Sequence, residues 1–425
     1  LTPCLMWGEA VSVGLLSSPT TRRPGLVANI DFAPTVFSLF ALGTPAYVTG
    51  RAMTTVRDGD FATLVRMEAR INATGVFRRK IIPVFSNVAA AALPLALLAG
   101  WALSSFNSLW STVYRPWLLF FSLFLSALPL ALHLTSQLQL SSLLVFALVT
   151  LGMAFLFTLL SWKLAEGSKR SSLFLLLPPT LLLLVVFSDL LSGATLIQSS
   201  ILGYDPMLGA RYYGIGNELA GLFLGSLLSV VIRVRSTNTP HPVSSWFFVF
   251  LIGTVFILAA PGIGANFGAS LTALAMALTL YFSQKPAKHF YKYVPLYLFV
   301  LFLFALAVLT FDYFAGNPEL QSHFGRLIKD FKLRGLPAVG EMIRRKLLVN
   351  LRLLASRWTL LLLSGLLTFI AAYFRSRKPF PANYLLVTLN GGLVGLFLND
   401  SGLVFAALFF YPLATTALLI RGSEK

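Results

Sequence analysis

Eleven apolar runs, each close to the length that crosses a bilayer, constrain this chain more than any other feature. They fall at about 81–103, 116–134, 140–162, 171–191, 216–233, 243–260, 267–283, 293–311, 357–374, 383–398 and 402–420. About 20 mostly apolar residues in helical form span the ~30 Å hydrocarbon core, and a helix satisfies its own backbone groups there. Only 11% of the 425 residues are charged, against about 25% in a soluble domain. So few charges cannot clothe a water-facing surface, and lipid is the solvent for much of the chain. The expectation is an all-α polytopic membrane protein of about eleven transmembrane helices. Pro178-Pro179 interrupts the fourth run and predicts a kink. Residues 1–80 are mixed in polarity and hold no spanning run, so two regions are expected: 1–80, and a membrane domain at 81–425 with one long loop at 312–356.

The charges orient these helices. Alternate connections hold Arg115; Lys163, Lys169 and Arg170; Arg233 and Arg235; Lys285, Lys288 and Lys292; Arg375, Arg377 and Lys378; and the tail residues Arg421 and Lys425. The short loops of the opposite set, 135–139, 192–215, 261–266 and 399–401, hold only Arg211. Basic residues concentrate in cytoplasmic loops. The chain is therefore expected in the inner (cytoplasmic) membrane, its N-terminal segment and the 312–356 loop outside and its C-terminus cytoplasmic. Arg78, Arg79 and Lys80 break the pattern just before the first helix. A net charge of +18 distributed this way points to anionic membrane lipids as partners and not to nucleic acid. The single cysteine, Cys4, excludes an intrachain disulfide, and the four histidines are scattered, so no metal site is assigned. The chain opens Leu1-Thr2-Pro3 without methionine or signal peptide, which reads as a mature or truncated piece whose upstream part is missing.

Orientation puts the polar, glycine-rich membrane-edge segments on one side. They are Gly203–Glu218 (GYDPMLGARYYGIGNE), Pro261–Gly268 (PGIGANFG) and Asn399–Gly402 (NDSG). Glycine permits tight turns and close backbone approach. Arg211, Tyr213, Asn217, Glu218, Asn266, Asn399 and Asp400 bring charge and hydrogen-bonding groups to the lipid boundary, where ionisable residues are costly and functional by default. Helix capping by the same residues is the bland alternative. In the long loop, Met342, Ile343, Leu347, Leu348, Leu351 and Leu354 recur at near-helical spacing among basic residues. That pattern predicts an amphipathic helix on the membrane surface.

Arg211-Tyr-Tyr-Gly-Ile-Gly-Asn217-Glu-Leu-Ala220, running into a small-residue helix, resembles the Arg-x-x-Gly-x-x-x-Asn signature of O-antigen ligases and polymerases. The resemblance implies a membrane glycosyltransferase that uses a polyprenyl-pyrophosphate-linked glycan outside the cytoplasmic membrane. It implies an acceptor glycan or lipid as second partner, and no cofactor. That family often has a Ser-Arg-Gly turn where this chain reads Gly264-Ala265-Asn266-Phe267-Gly268, so the second pyrophosphate-binding arginine is missing there. It also has a long external loop with catalytic Arg and His, matched here by Arg326 and His323 in 312–356. Independently of the family, arginine pairs with phosphate oxygens bidentately. Arg211 beside a helix start suits a pyrophosphate, because helix N-termini also attract anions. Transfer to a hydroxyl needs a base, for which His323, Glu218 and Asp400 are the candidates. Tyr213, Asn217, Asn266, Arg326 and Asn399 are the expected substrate-binding groups beside Arg211.

Residues 14–42 carry a second resemblance. The step Asp31-Phe-Ala-Pro34-Thr35 is similar to the one that begins a late helix in the alkaline phosphatase superfamily, and it fits a capped helix start. The resemblance implies that 1–80 is a small extracytoplasmic remnant of an α/β phosphatase-like domain. Such domains need Asp and His ligands for two metal ions, yet 1–80 contains no histidine, so no working phosphatase site is expected. Three readings follow: a glycan transferase, ligase or polymerase; a transporter or flippase of an anionic lipid or solute; and a membrane anchor for a phosphatase-like domain.

Overall fold

The computed structural model describes the chain except for residues 10, 46–47, 58, 106–107, 167–170, 210, 237–242, 285–291, 315–330, 332–333, 377–379 and 424–425. Each of the eleven apolar runs is helical: α2 (Phe61–Ser105), α3 (Ser108–Thr135), α4 (Leu143–Glu166), α5 with α6 (Ser171–Phe174, Leu177–Leu191), α8 (Asn217–Ser236), α9 (Val243–Ala259), α10 (Phe267–Phe282), α11 (Val294–Phe314), α13 (Arg357–Arg375), α14 (Ala382–Leu398) and α15 (Gly402–Ser423). The rest are short, α1 (Phe32–Leu39) and α7 (Thr195–Ser199), or belong to the long loop, α12 (Leu336–Leu353). By length and composition, seven are able to cross a membrane: α2, α3, α4, α8, α11, α13 and α15. Helices α6, α9, α10 and α14 are apolar but shorter. The chain is an all-α membrane protein.

Two local expectations change. The fourth run is not a kinked helix. It breaks into α5 and α6 at Leu175-Leu176, and Pro178 lies in the first turn of α6. Proline lacks the N–H that a first turn leaves unpaired anyway, so it starts a helix at little cost. Helix α2 passes residue 80, where composition changes, without a break. At ~1.5 Å per residue its 45 residues extend about 68 Å, more than twice the ~30 Å hydrocarbon thickness. It is therefore longer than the apolar layer is thick, and part of it must stand clear of that layer.

The core centres on α15, which packs against α13, α8, α3 and α14. Every residue in its most apolar stretch is buried. Gly221 and Gly225 of α8 make this contact possible. A Cβ on them would stand 2.4 Å from the Phe405 carbonyl oxygen and 2.2 Å from that of Phe409. Small residues four apart let helix backbones touch, which is how helices associate where water supplies no hydrophobic force.

The N-terminal segment forms a two-stranded antiparallel sheet, β1 (Leu15–Ser17) with β2 (Thr54–Val56), Leu16 opposite Thr55. Contrary to the capped start that the sequence predicts, Asp31 does not cap α1 with its side chain. Its buried carboxylate accepts from Ser18 Oγ and Thr20 Oγ1, both at 2.6 Å, and from the Ala28 and Arg51 N–H groups at 3.0 Å. Thr35 continues the network, donating to the Asp31 carbonyl at 2.6 Å and accepting from Met53 N–H at 2.9 Å. The Asp-x-x-Pro-Thr step is thus the knot of this segment.

Candidate polar site at one end of the helices

Three turns far apart in sequence are knitted together at the end of the bundle where α8, α10 and α15 begin. The first precedes α8. Its Ile215 N–H donates to the Gly264 carbonyl at 2.8 Å, and Arg211 Nη1 donates to the Ala265 carbonyl at 3.0 Å. The second turn precedes α10, with Ala265 in the left-handed region (φ 47°). Its Asn266 caps α10 by accepting from Ala269 N–H at 3.0 Å. With its amide nitrogen Asn266 reaches back to the Ile215 carbonyl (3.0 Å) and to Asn217 Oδ1 (3.1 Å). Asn217 in turn donates to Ser401 Oγ at 2.8 Å, in the third turn. Asn266 thus joins the second turn to the first, and Asn217 joins the first to the third, in one connected polar network.

Removal from water pulls the Arg211 guanidinium below the ordinary arginine range, and the Asp400 carboxylate is the strongest of the groups opposing this. Tyr213, Tyr204 and Glu218 oppose it further, so these side chains share one electrostatic neighbourhood. Tyr204 donates to the Tyr212 carbonyl at 2.8 Å, and burial pushes its phenol above the usual range. Asp400 is exposed and pairs with Lys346 Nζ of α12 at 3.2 Å, while the same ammonium donates to the Leu398 carbonyl at 2.9 Å. Asn399 caps α14, its amide donating to the Gly395 carbonyl at 2.9 Å, and its buried Oδ1 has no partner among the described residues. Glu218 is held by Arg78 of α2. Hydrogen bonds thus tie the turns of Arg211, Asn217, Asn266 and Ser401 together. Asp400, Tyr213 and Glu218 lie near enough to act on the Arg211 charge, and Asn399 sits at the end of α14 in the third turn. His323 and Arg326 lie outside the described residues.

Several members of the site escaped the sequence reading. Arg78 donates to the Ile201 carbonyl at 2.5 Å besides pairing with Glu218, and Arg79 lies 3.7 Å from the buried Asp205. The signal for them was their breach of the loop-charge pattern: basic residues misplaced for orientation are here partnered by carboxylates of the facing loop. Arg22 gave no such signal. It donates to the Pro261 carbonyl at 2.7 Å, and its guanidinium lies 3.9 Å from the Tyr213 ring centroid, a cation–π geometry. Its Nε and Nη2 are buried without a partner among the described residues. The turn that lacks an arginine of its own is therefore met by one from the N-terminal segment. Arg23 follows beside Tyr204, its guanidinium lowered by burial.

In the long loop, α12 is the amphipathic helix that the spacing predicts. Ile343, Leu347, Leu351 and Leu354 are exposed, whereas Lys346 and Asn350 turn toward the protein, Asn350 Oδ1 accepting from Leu403 N–H at 3.0 Å. No group of three or more His, Cys, Asp or Glu arranged to hold a metal occurs among the described residues. No family model, no curated protein and no solved structure matches the chain.

Proposed function

We propose that the chain is a cell-envelope glycan transferase, ligase or polymerase. It acts on a polyprenyl-pyrophosphate-linked glycan at the outer face of the cytoplasmic membrane. In this reading all eleven apolar helical runs cross the membrane, the converged turns and residues 1–80 lie outside, the latter as the end of a phosphatase-like domain, and the C-terminus is cytoplasmic. The observation that carries the reading is the meeting of Arg211, Asn217, Asn266, Asn399 and Asp400 at one end of the bundle, with Arg22 beside them.

Arg211 and Arg22 would bind the pyrophosphate oxygens, since guanidinium forks match them. The acceptor hydroxyl oxygen attacks the anomeric carbon. Its bond to the pyrophosphate oxygen breaks, and polyprenyl pyrophosphate leaves with the electron pair. The hydroxyl proton passes to a base. Asp400 suits this role better than Glu218, because it is exposed whereas Glu218 is largely buried against Arg78. His323 stays in the candidate set. The test is transfer from a purified lipid-linked glycan to an acceptor. Arg211→Ala should abolish product while the protein elutes and melts as the parent does; undiminished transfer would sink the assignment.

A transporter or flippase is the second reading, supported by one polar group within the apolar helices. Asn390 of α14 donates to Thr279 Oγ1 at 2.7 Å and to the Tyr297 hydroxyl at 2.8 Å, joining α10 and α11. Reconstituted vesicles separate the two: movement of lipid or solute without bond formation would favour transport.

A further inference from the structure

A small cavity, mostly apolar in its lining but with two arginines, lies apart from the converged turns, between the first part of α2, the loop after α3 and the start of α4. Its volume is about 270 Å³, at the small end of ligand pockets, which run to roughly 300–1,000 Å³. One wall carries Arg66 and Arg70 of α2. Arg70 is half-buried and donates from Nη2 to Gln137 Oε1 at 3.3 Å. Its side chain is thus held by a neutral amide and not by a carboxylate. Its Nε is buried with no partner among the described residues, and an unpaired buried guanidinium donor is costly. Arg23 stands close enough behind Arg70 for the two charges to repel, whereas Arg66 donates to Thr63 Oγ1 at 3.1 Å and has Asp60 nearby. The least balanced positive charge at the mouth is therefore that of Arg70. Gln139 and Ser141 add exposed polar groups at the rim, Gln139 in the left-handed region at φ 50°.

The other end of the same cavity is apolar. Phe77 and Phe146 pack edge to face there, centroids 5.1 Å apart, and Leu140 and Ile201 complete the wall. Phe146 lies in the first turn of α4, where lipid-facing Leu144, Val145 and Leu148 begin. Phe77 lies just before the apolar run of α2, and Arg70, seven residues earlier, stands about 10 Å farther out at ~1.5 Å per residue. With the apolar run of α2 placed from residue 81 onward, as hydropathy places it, the cavity would straddle the boundary between headgroups and hydrocarbon, its arginines on the headgroup side and its aromatic rings on the other.

We propose that this cavity binds an amphiphile with a phosphate head and one hydrocarbon chain, Arg70 and Arg66 holding the phosphate and Phe77 and Phe146 the first carbons. The volume admits a headgroup and the start of one chain. The proposal stands apart from the transferase reading, because the groups that would hold the phosphate, Arg66 and Arg70, are not among those around Arg211.

Binding of geranylgeranyl phosphate to the delipidated full chain in detergent tests it, with geranylgeraniol, inorganic phosphate and dioctanoyl phosphatidic acid as comparison probes. Geranylgeranyl phosphate should bind tightest. Arg70→Gln should raise its Kd about tenfold or more, the loss expected of a charge-assisted hydrogen bond. Ala73→Trp, which fills the cavity and keeps both arginines, should remove binding. Phe302→Ala, at an exposed position of α11 outside the cavity lining, should leave it unchanged. If Arg70→Gln does not fold, Arg66→Gln and Ala73→Trp carry the test. Equal binding of geranylgeraniol overturns phosphate recognition, and equal binding of inorganic phosphate overturns the amphiphile. Tighter binding of phosphatidic acid overturns the single chain, and binding indifferent to the cavity variants overturns the site.

Discussion

Helices α11 and α15 are alike as sequences and opposite as structures. Both are long and apolar enough to cross a membrane, yet every residue in the most apolar stretch of α15 is buried in the protein and none in that of α11. Leu298, Phe299, Phe302 and Leu306 of α11 are exposed, while Phe405, Phe409 and Tyr411 of α15 are enclosed. The difference teaches that apolarity puts a helix in lipid but does not put it in the core. Lipid tails are as apolar as leucine, so a lipid-facing phenylalanine gains little by moving inside. What draws α15 inward is shape. Gly221 and Gly225 of α8 accept its backbone, and Gly392 and Gly395 of α14 lie under the Phe410 and Phe405 rings.

The largest effect is expected where this fit is tightest. Gly225→Leu puts a side chain into the Phe409 carbonyl and the Pro412 ring. Overpacking costs about 1–3 kcal/mol and more where backbone must move, so the variant should lose most of its monodisperse, cooperatively melting fraction in detergent. An unchanged melt would break the comparison, for α8 and α15 would then not be in backbone contact. Asn266→Ala comes next. It removes a helix cap and two donated bonds, each worth about 1 kcal/mol. A fall in Tm no larger than that for Gly225→Leu is expected, with cysteine labelling at position 401 in a Ser401→Cys background rising as the third turn loosens. The smallest effect is expected on α11. Phe302→Ala should stay within about 0.5 kcal/mol of the parent, as exposed positions do. A loss like that of a core variant would show that α11 is covered by another protein surface, such as a second copy of this chain.

The polar site was legible in part. Its three glycine-rich turns stood out because glycine, asparagine and charge are conspicuous at the edges of apolar runs, and loop charges predict a common side for them. The bonds from Asn266 to Asn217 and from Asn217 to Ser401 were not legible, since they join positions 49 and 184 residues apart. Arg22 was hidden for a related reason: in a mixed polar segment nothing distinguishes one arginine from its neighbour Arg23 until the fold lays it over Tyr213. Arg78 was visible only as an anomaly, and its pairing with Glu218 accounts for it. Asp31 was read as a cap for the following helix, but three earlier groups and the Arg51 N–H claim its carboxylate instead.

By itself the sequence determined the solvent and the element type. So few charges and eleven apolar runs leave only helices in lipid, because no other open-ended segment satisfies its backbone there. It also carried local start signals, since these act within one turn: Asn266 caps the helix that follows it, and the prolines at 178–179, expected to kink a helix, open one instead. Only the tertiary structure decided which apolar helix is core and which meets lipid, and which side chains share the polar end. Those outcomes depend on close approach between distant segments, and hydropathy, a property of each segment alone, carries no trace of its neighbours.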